Sequence, residues 1–500
     1  MNPLRNRWAS LPGSTLRRLQ AQQFRWQLEH VVLPFSSYYR ELFEREGLKA
    51  SQFRDLTDLS AIPFSSKADL VNTSERPEQS RRFVLIPDKE VLSRRPSTLL
   101  RALTQGPAAA KAALQHEWRP VFLTSTTGRS ADPVPFLFTG HDLHELEIAG
   151  VRTMQIAGGT PDMRMMNVFP FAPHLAFWLA HYAGTGFGVF MLSTGGGKVM
   201  GTEGNIRMMK KIQPDVMIGM PTFLYHLMNE AVEDGHTNPN LKKLVLGGEK
   251  APQGLRRKLK ELAAKLGAKQ VDVIATYGFT EAKMAWIECP GSEGEKHTGY
   301  HVSPDQAIIE VVDPKTGDPV EEGQSGEIVF TPLQARGSVV MRYRTGDLIS
   351  GGLHYETCPH CGRTMPRLVG TISRVSEVRE MNLAKLKGTL LDFNELENLL
   401  DDTPGVGSWQ IEIRKLHDDP MEIDEVILHL EDPGESEQGD VEDRVRRRFV
   451  AYTETQPNRI EFHSASGMRK LHGVGEQLKE QKLVDHRPTA KAPTAERSPA

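Results

Sequence analysis

Val271-Asp272-Val273-Ile274-Ala275-Thr276-Tyr277-Gly278-Phe279-Thr280-Glu281 is the stretch on which the fold turns. Its first six residues, rich in β-branched and apolar side chains, read as a strand. They run into an aromatic ring, a glycine, a hydroxyl and a carboxylate. Upstream, Lys243-Leu244-Val245-Leu246 is another short strand, ending at Gly247-Gly248-Glu249. Between the two, Pro252 opens a helix whose apolar positions Leu255, Leu259, Leu262 and Leu266 step by four, three and four, and Gly267 closes it. Further back, Asp215-Val216-Met217-Ile218-Gly219-Met220 is a strand ending at Pro221, followed by a helix from Thr222 toward Gly235. This β-α-β-α-β order predicts a parallel sheet. Ligands on open α/β sheets bind outside the carboxyl ends of the strands. Pro221-Thr222, Gly247-Gly248-Glu249 and Tyr277 to Glu281 are therefore expected to line one crevice. Glycines there could simply turn the chain, but Glu249 and Glu281 gain nothing from a turn.

Downstream, Ala307 to Val312 and Gly326 to Phe330 read as strands about a turn at Lys315-Thr316-Gly317-Asp318, a small β subdomain. It leads to a second run, Arg342-Tyr343-Arg344-Thr345-Gly346-Asp347. Together the two runs supply an aromatic, small polar groups and two carboxylates, which suit a base, a phosphate, a magnesium ion and a ribose. Beyond Ser373 the pattern becomes mixed α+β: a helix near Phe393 to Leu400, strands near Trp409 to Arg414 and Glu425 to Leu430, and a charged helix near Val441 to Tyr452. The expected fold class is α/β, with residues 1–373 as a large N-terminal domain, 374–485 as a smaller α+β lid domain, and 486–500 as a disordered tail rich in Pro, Ala and Thr.

Five hundred residues exceed one core, which agrees with two domains. With 61 basic and 64 acidic side chains the net charge is -3, so no global field draws in nucleic acid or an anionic membrane. No apolar run approaches the ~18 residues of a membrane span. The basic N-terminus lacks the apolar core of a secretory signal, so a cytoplasmic location is expected.

Val121-Phe122-Leu123 leads into Thr124-Ser125-Thr126-Thr127-Gly128-Arg129. Small residues let backbone N–H groups approach phosphate oxygens, hydroxyls add donors, and Arg129 adds charge. With this loop in place the sequence resembles the adenylate-forming enzymes, in their phenylacetate–CoA ligase-like branch. The Thr/Ser-rich loop, Gly-Gly-Glu, Tyr-Gly-x-Thr-Glu and Arg-Tyr-Arg-Thr-Gly-Asp occur in that family's order. Leu33 to Arg40 and Ile62-Pro63-Phe64-Ser65-Ser66-Lys67 look like its N-terminal helices.

The resemblance implies that a carboxylic acid is joined to ATP, leaving an acyl-adenylate whose acyl group passes to coenzyme A. It implies Thr124, Ser125, Thr126, Thr127, Gly128 and Arg129 around the pyrophosphate end of ATP. Gly248 and Glu249 would border the adenine, with Tyr277 stacking on it and Gly278 beside it. Thr280 would contact the α-phosphate, Glu281 would reach Mg²⁺, and Asp347 and Arg374 would meet the ribose. The acid would lie beside Pro221, Thr222, Phe223 and Phe169 to Leu175. Lys479 would be the C-terminal catalytic lysine, with Lys470 as the alternative.

The chain departs from the family pattern at several places. Ser125 stands where the family has glycine and Arg129 where it has lysine. Residues 90–118 look like an insertion, and the hinge aspartate falls on Ser376. Such departures leave open a degenerate nucleotide-binding protein. An acyl carrier protein or an amine is the alternative acceptor, and a homodimer is the alternative to a monomer.

Cys358-Pro359-His360-Cys361 has metal-knuckle spacing, and Cys289 lies upstream, followed by His297 and His301. A Cys3His set satisfies structural Zn²⁺. Reduced free thiols or a redox pair are the alternatives. In the resembling branch, the histidine aligns with His301. A zinc-containing nucleic-acid binder would need a basic face with interleaved aromatics, which this chain lacks.

Overall fold

The computed structural model describes residues 3–126, 133–291, 298–374, 385–386, 389–390, 393–415, 424–453, 456–473 and 481–487. The chain forms two compact units, Met1–Ala251 with Lys260–Val375, and Pro252–Leu259 with the chain from Ser376 onward.

In the first unit the strands are β1 (Pro120–Ser125), β2 (Pro135–Thr139), β3 (Arg164–Asn167), β4 (Phe190–Ser193), β5 (Val216–Gly219), β6 (Lys243–Leu246), β7 (Asp272–Phe279) and β8 (Met284–Ile287). There follow β9 (Tyr300–His301), β10 (Ala307–Val312), β11 (Gly326–Pro332), β12 (Tyr343–Ile349), β13 (Leu353–His354), β14 (Arg367–Leu368) and β15 (Ile372–Arg374). Among the described residues the largest sheet runs β13-β14-β9-β8-β7-β6-β5-β3-β4. The expected parallel core is there: β3, β5, β6 and β7 pair in parallel. The helix Pro221–Glu233 follows β5, with Pro221 at its first turn, where a missing N–H is harmless. The helix Gln253–Lys265 follows β6 and buries Leu255, Leu259 and Leu262.

One expectation needs correction. The Tyr277 run is not a loop beyond a strand end, because β7 continues through Phe279. Its first half, Asp272 to Ala275, pairs in parallel with β6. Its second half, Thr276 to Phe279, pairs antiparallel with β8. The strand outruns its parallel neighbour by four residues and turns back at Thr280–Ala282. Gly278 is required for that pairing, since a Cβ there would lie 2.6 Å from Ala285 Cβ.

A second sheet, β10-β11-β12-β15, is antiparallel and carries the other run. Residues 90–118, read as an insertion, are largely helical (Lys89–Ser93, Pro96–Gln105 and Pro107–Trp118). They anchor through buried Leu92, Ala110 and Trp118, the last packed edge-on against Phe35 at 4.8 Å.

The second unit contains β16 (Lys385–Leu386), β17 (Thr389–Leu390), β18 (Trp409–Lys415), β19 (Asp424–Glu431), β20 (Arg459–His463) and β21 (Leu483–Asp485). Its sheet runs β20-β19-β18-β21. Helices Phe393–Asp401 and Gln438–Thr453, the latter through Val445 and Phe449, share a core with its inward residues, among them Ile411, Leu428 and Leu430. The expected tail beyond 487 lies outside the described residues. No helix among the described residues is long and apolar enough to cross a membrane.

Candidate active site

The extension of β7 and the strand β12 bring the two runs together. Tyr277 Oη donates to Asp347 Oδ2 at 2.9 Å, and Arg374 Nε lies 3.0 Å from Asp347 Oδ1. Asp347 and Arg374 are register partners across β12 and β15. The aim of Asp347 comes from an irregularity in β12: Glu327 pairs with Leu348 but Val329 pairs with Arg344, so β12 carries extra chain at Thr345-Gly346-Asp347. Gly346 takes φ +72°, which glycine adopts at no steric penalty, and such bulges re-aim side chains. Thr345 fastens the bulge, donating to Ile328 O at 2.8 Å and accepting from Asp347 N at 3.0 Å. Asp347 is buried.

Tyr343, three residues before the glycine, was read in the motif but given no role. Its Oη donates to Glu281 Oε1 at 2.7 Å. Burial pushes the Glu281 carboxyl above the usual carboxylate range, opposed by the bond from Tyr343 and by the more distant charges of Arg374 and Lys67. Burial also raises the Tyr277 and Tyr343 phenols, followed in each case by the neighbouring carboxylate, so both remain hydrogen donors. The Glu281 turn is pinned at its far end. Lys283, at φ +58°, is buried with Nζ 3.2 Å from Asp142 Oδ2 and over the Phe138 ring.

The arginines flanking Tyr343 hold the scaffold. Arg342 Nη1 donates to Ser60 O at 3.0 Å and to Ile62 O at 2.8 Å, and Arg344 Nε donates to Glu327 at 2.8 Å. Arg344 N also donates to Ser65 O, so the Ile62 to Lys67 segment lies against the motif strand. Neither arginine could be separated from the ligand-facing residues by sequence, except through the period-2 alternation that puts Tyr343 on the opposite face.

Beside these groups, Gly247 follows β6 so closely that a Cβ would lie 2.4 Å from Thr276 Oγ1 and 3.2 Å from the Phe169 ring. Gly248 has φ +81° and is exposed. Thr222 Oγ1 donates to Glu249 Oε2 at 2.5 Å, joining the ends of β5 and β6. Tyr277 is buried, with Phe279, Trp286 and Tyr300 around its ring at centroid distances of 5.8 to 5.9 Å. Thr124 and Ser125 belong to β1, so the expected phosphate loop starts later than read. Thr126 closes it, donating its N–H to Val134 O at 3.1 Å and accepting from Val134 N at 3.0 Å. Thr124 is fully buried, and its Oγ1 has no hydrogen-bond partner among the described residues. Thr127, Gly128, Arg129, His297, Ser376 and Lys479 lie outside the described residues. Lys470 is exposed on the helix Ala465–Leu471.

The profile of the AMP-binding enzyme family matches residues 144–342, the span holding β3 to the start of the second run. The phenylacetate-coenzyme A ligase of Thermus thermophilus is 28% identical over 376 residues, 74% of this chain and 72% of that protein. The enzyme of the same name from Escherichia coli is 25% identical, over 71% of this chain and 70% of its own. Over this span the chain is similar to the adenylate-forming enzymes of the phenylacetate–CoA ligase-like kind. A solved 2-hydroxyisobutyryl-CoA ligase in its postadenylation state matches this chain with a TM-score of 0.72. That match has 19% identity and covers 96% of this chain and 92% of the other, a likeness of fold.

The chain also gathers its three cysteines. Cys289, His301, Cys358 and Cys361 bring their ligand atoms within 4.8 Å of one another. Cys289 Sγ lies 3.8 Å from Cys358 Sγ, and Cys361 Sγ lies 3.3 Å from His301 Nε2. His301 Nδ1 is 3.2 Å from Ile287 O. A carbonyl only accepts, so Nδ1 carries the proton and Nε2 turns its lone pair toward the thiols. Hydrogen bonding to Cys289, then to Cys358, pulls the Cys361 thiol far below its ordinary range. The cluster sits where β8, β9 and the β13–β14 connection meet, at the antiparallel edge of the sheet.

Proposed function

We propose that this chain joins a carboxylic acid to ATP and passes the acyl group to the thiol of coenzyme A. The acid's carboxylate oxygen attacks the α-phosphorus, and the bond to pyrophosphate breaks. The thiol sulfur then attacks the acyl carbon, and AMP leaves. The observation that supports this reading is the crossing of the two runs: Tyr277 of the first donates to Asp347 of the second, and Tyr343 of the second donates to Glu281 of the first. They meet beyond the parallel pairing of β6 with β7, where α/β sheets bind ligands.

Asp347 accepts the ribose hydroxyls, beside Arg374. Gly248, Glu249, Gly278 and Tyr277 border the base. Thr280 and the Thr124 to Arg129 stretch supply donors to the phosphates. Magnesium, held by Glu281, would neutralise charge on the phosphates when bound. The attacking carboxylate is already ionised, so charge stabilisation rather than a strong base is what the site must provide. Lys479 is the proposed counter-charge for the α-phosphate, with Lys470 the alternative. The acid lies against Pro221, Thr222, Phe223 and Phe169. Cys289, His301, Cys358 and Cys361 fit a structural Zn²⁺ with no open position. Reliance on ATP and coenzyme A places the activity in the cytoplasm.

Pyrophosphate exchange with ATP, magnesium and a panel of aryl and fatty acids tests the first half-reaction. Exchange with at least one acid is expected, and its absence with all of them sinks the proposal. Coenzyme A is expected to turn the adenylate over to a thioester. If only a carrier protein does so, the acceptor is corrected. Lys479→Ala is expected to lower exchange by orders of magnitude, and an unchanged rate there removes that lysine's role. Metal analysis is expected to find near-stoichiometric zinc that Cys361→Ser loses.

A further inference from the structure

The C-terminal sheet has an apolar face and a second face on which charged and imidazole side chains collect. Along β18, Ile411 and Ile413 point to the core while Gln410 and Glu412 point away. On β19, Leu428 and Leu430 are core and His429 is not. On β20, Glu461 and His463 stand two residues apart and so share a face. Register brings these together: Gln410 pairs with His429, His429 with Glu461, and Glu431 with His463.

The contacts there are close. His429 Nδ1 is 2.9 Å from His463 Nε2 and 3.5 Å from Glu461 Oε2, and His463 Nε2 is 3.9 Å from the same oxygen. On the other side of the ring, His429 Nε2 is 3.0 Å from Glu412 Oε2. The two glutamates are similarly braced, with Glu412 Oε1 3.8 Å from Arg414 Nη1 and Glu461 Oε1 3.3 Å from Arg459 Nη1. Each arginine takes one oxygen and leaves Oε2 for the histidines.

A count of protons shows what the cluster lacks. A carboxylate accepts, so His429 Nε2 carries its proton toward Glu412, and the neutral ring then has a lone pair on Nδ1. That lone pair faces His463 Nε2 and Glu461 Oε2. A proton on His463 can serve Nδ1, but Glu461 Oε2 still confronts the same lone pair. One cation satisfies all three. Neighbouring ligand atoms around a tetrahedral ion bound at ~2.0–2.1 Å lie about 3.3 Å apart, and the three separations found here bracket that value. A histidine whose far nitrogen is held by a carboxylate is the arrangement that orients metal-binding imidazoles.

We propose that this face binds one divalent transition-metal ion of the zinc class through His429 Nδ1, His463 Nε2 and Glu461 Oε2. Glu412 orients His429 from behind, as a positioning residue. Two imidazoles and a carboxylate suit zinc and its neighbours, and disfavour magnesium and calcium, which prefer all-oxygen shells. The fourth position is left to water or a ligand. The ion would tie β19 to β20 on the side away from helices Phe393–Asp401 and Gln438–Thr453, and it is distinct from the cysteine cluster of the other unit.

Zinc titrated into the purified full-length protein by calorimetry tests this. A saturable event is expected that Cys361→Ser leaves in place and His463→Ala weakens by more than about 100-fold, with Glu412→Gln weakening it roughly 10- to 100-fold. Cobalt added in place of zinc is expected to fill this site without thiolate-to-metal charge-transfer absorption, which a cysteine site would show. His463 is only partly buried, so His463→Ala should keep its circular dichroism. If it does not, Glu461→Gln carries the same test. No saturable event, an event unchanged by both variants, or one with thiolate charge transfer each overturns the proposal. In those cases a protonated His429 between Glu412 and Glu461 accounts for the cluster.

Discussion

Glu281 and Asp347 invite comparison. Both are carboxylates withdrawn from solvent, both accept from a tyrosine, and both belong to the runs that mark the nucleotide site. They differ in counter-charge. Asp347 has the Arg374 guanidinium at 3.0 Å, whereas Glu281 has a neutral phenol at 2.7 Å and feels Arg374 and Lys67 only at longer range. Burial accordingly lifts the Glu281 carboxyl above its ordinary range. The lesson is a division of labour. Asp347 is a neutralised, fixed acceptor, suited to hydroxyls. Glu281 is an under-compensated anion, suited to a cation arriving with the substrate.

The sharpest way to break this comparison is Glu281→Gln. Removing the anion should lower pyrophosphate exchange by about 10²–10³-fold, the scale of one lost electrostatic group in a preorganised site. The same variant should be no less stable than wild type at neutral pH without ligand. The sign follows from linkage. The folded-state pKa is raised, so the folded protein binds more protons, and Glu281's stabilising contribution, full below the ordinary glutamate value of 4.5, declines as pH rises through the raised value. Glutamine removes that decline. Melting temperatures across this range check it, and a Glu281→Gln protein that is inactive because it is less stable at neutral pH would contradict the division of labour.

Asp347→Asn is the milder test of the other half. It keeps one acceptor and the shape, but it frees Arg374 from its partner. A hydrogen bond to a charged group contributes roughly 1.5–3 kcal/mol, so KM for ATP should rise about tenfold or more while kcat changes less, the pattern of lost uniform binding. A kcat loss as large as that of Glu281→Gln would show that the two carboxylates do the same job.

Much of this site was legible in the chain. The Tyr277 and Arg342 runs, the Gly247-Gly248-Glu249 stretch and the parallel βαβ order are local patterns, and local patterns survive without tertiary information. What was not legible depends on register. That β7 outruns β6 by four residues is set by which strand lies on each side, and no periodicity within Val271 to Phe279 encodes it. The scaffold role of Arg342 has no local signal because its acceptors, Ser60 O and Ile62 O, lie about 280 residues away in sequence. Lys283 reads as a surface lysine until Asp142 and Phe138 close over it. The Glu412, His429, Glu461 and His463 cluster was missed for the same reason: it draws on three strands, and no spacing announces it. The cysteine cluster is legible because Cys358 and Cys361 carry their signal within four residues, and the structure brings His301 and Cys289, also named from the sequence, to them from two further elements.

The finest test compares the two phenols. Tyr343→Phe and Tyr277→Phe each delete one oxygen and nothing else, and their effects should diverge. Asp347 without Tyr277 retains Arg374 and the backbone fastening through Thr345, so Tyr277→Phe should change exchange only a few-fold. Glu281 without Tyr343 loses the bond that most opposes its desolvation. Its pKa must then move further up, and a glutamate that has to be ionised to hold a cation titrates later. The acid limb of the pH–exchange profile should therefore shift to higher pH in Tyr343→Phe and stay in place in Tyr277→Phe. At a pH well above the limb, Tyr343→Phe should recover most of its rate, because the group it perturbs is ionised again. Equal shifts in both variants, or none in either, would mean that the acid limb reports a group other than Glu281.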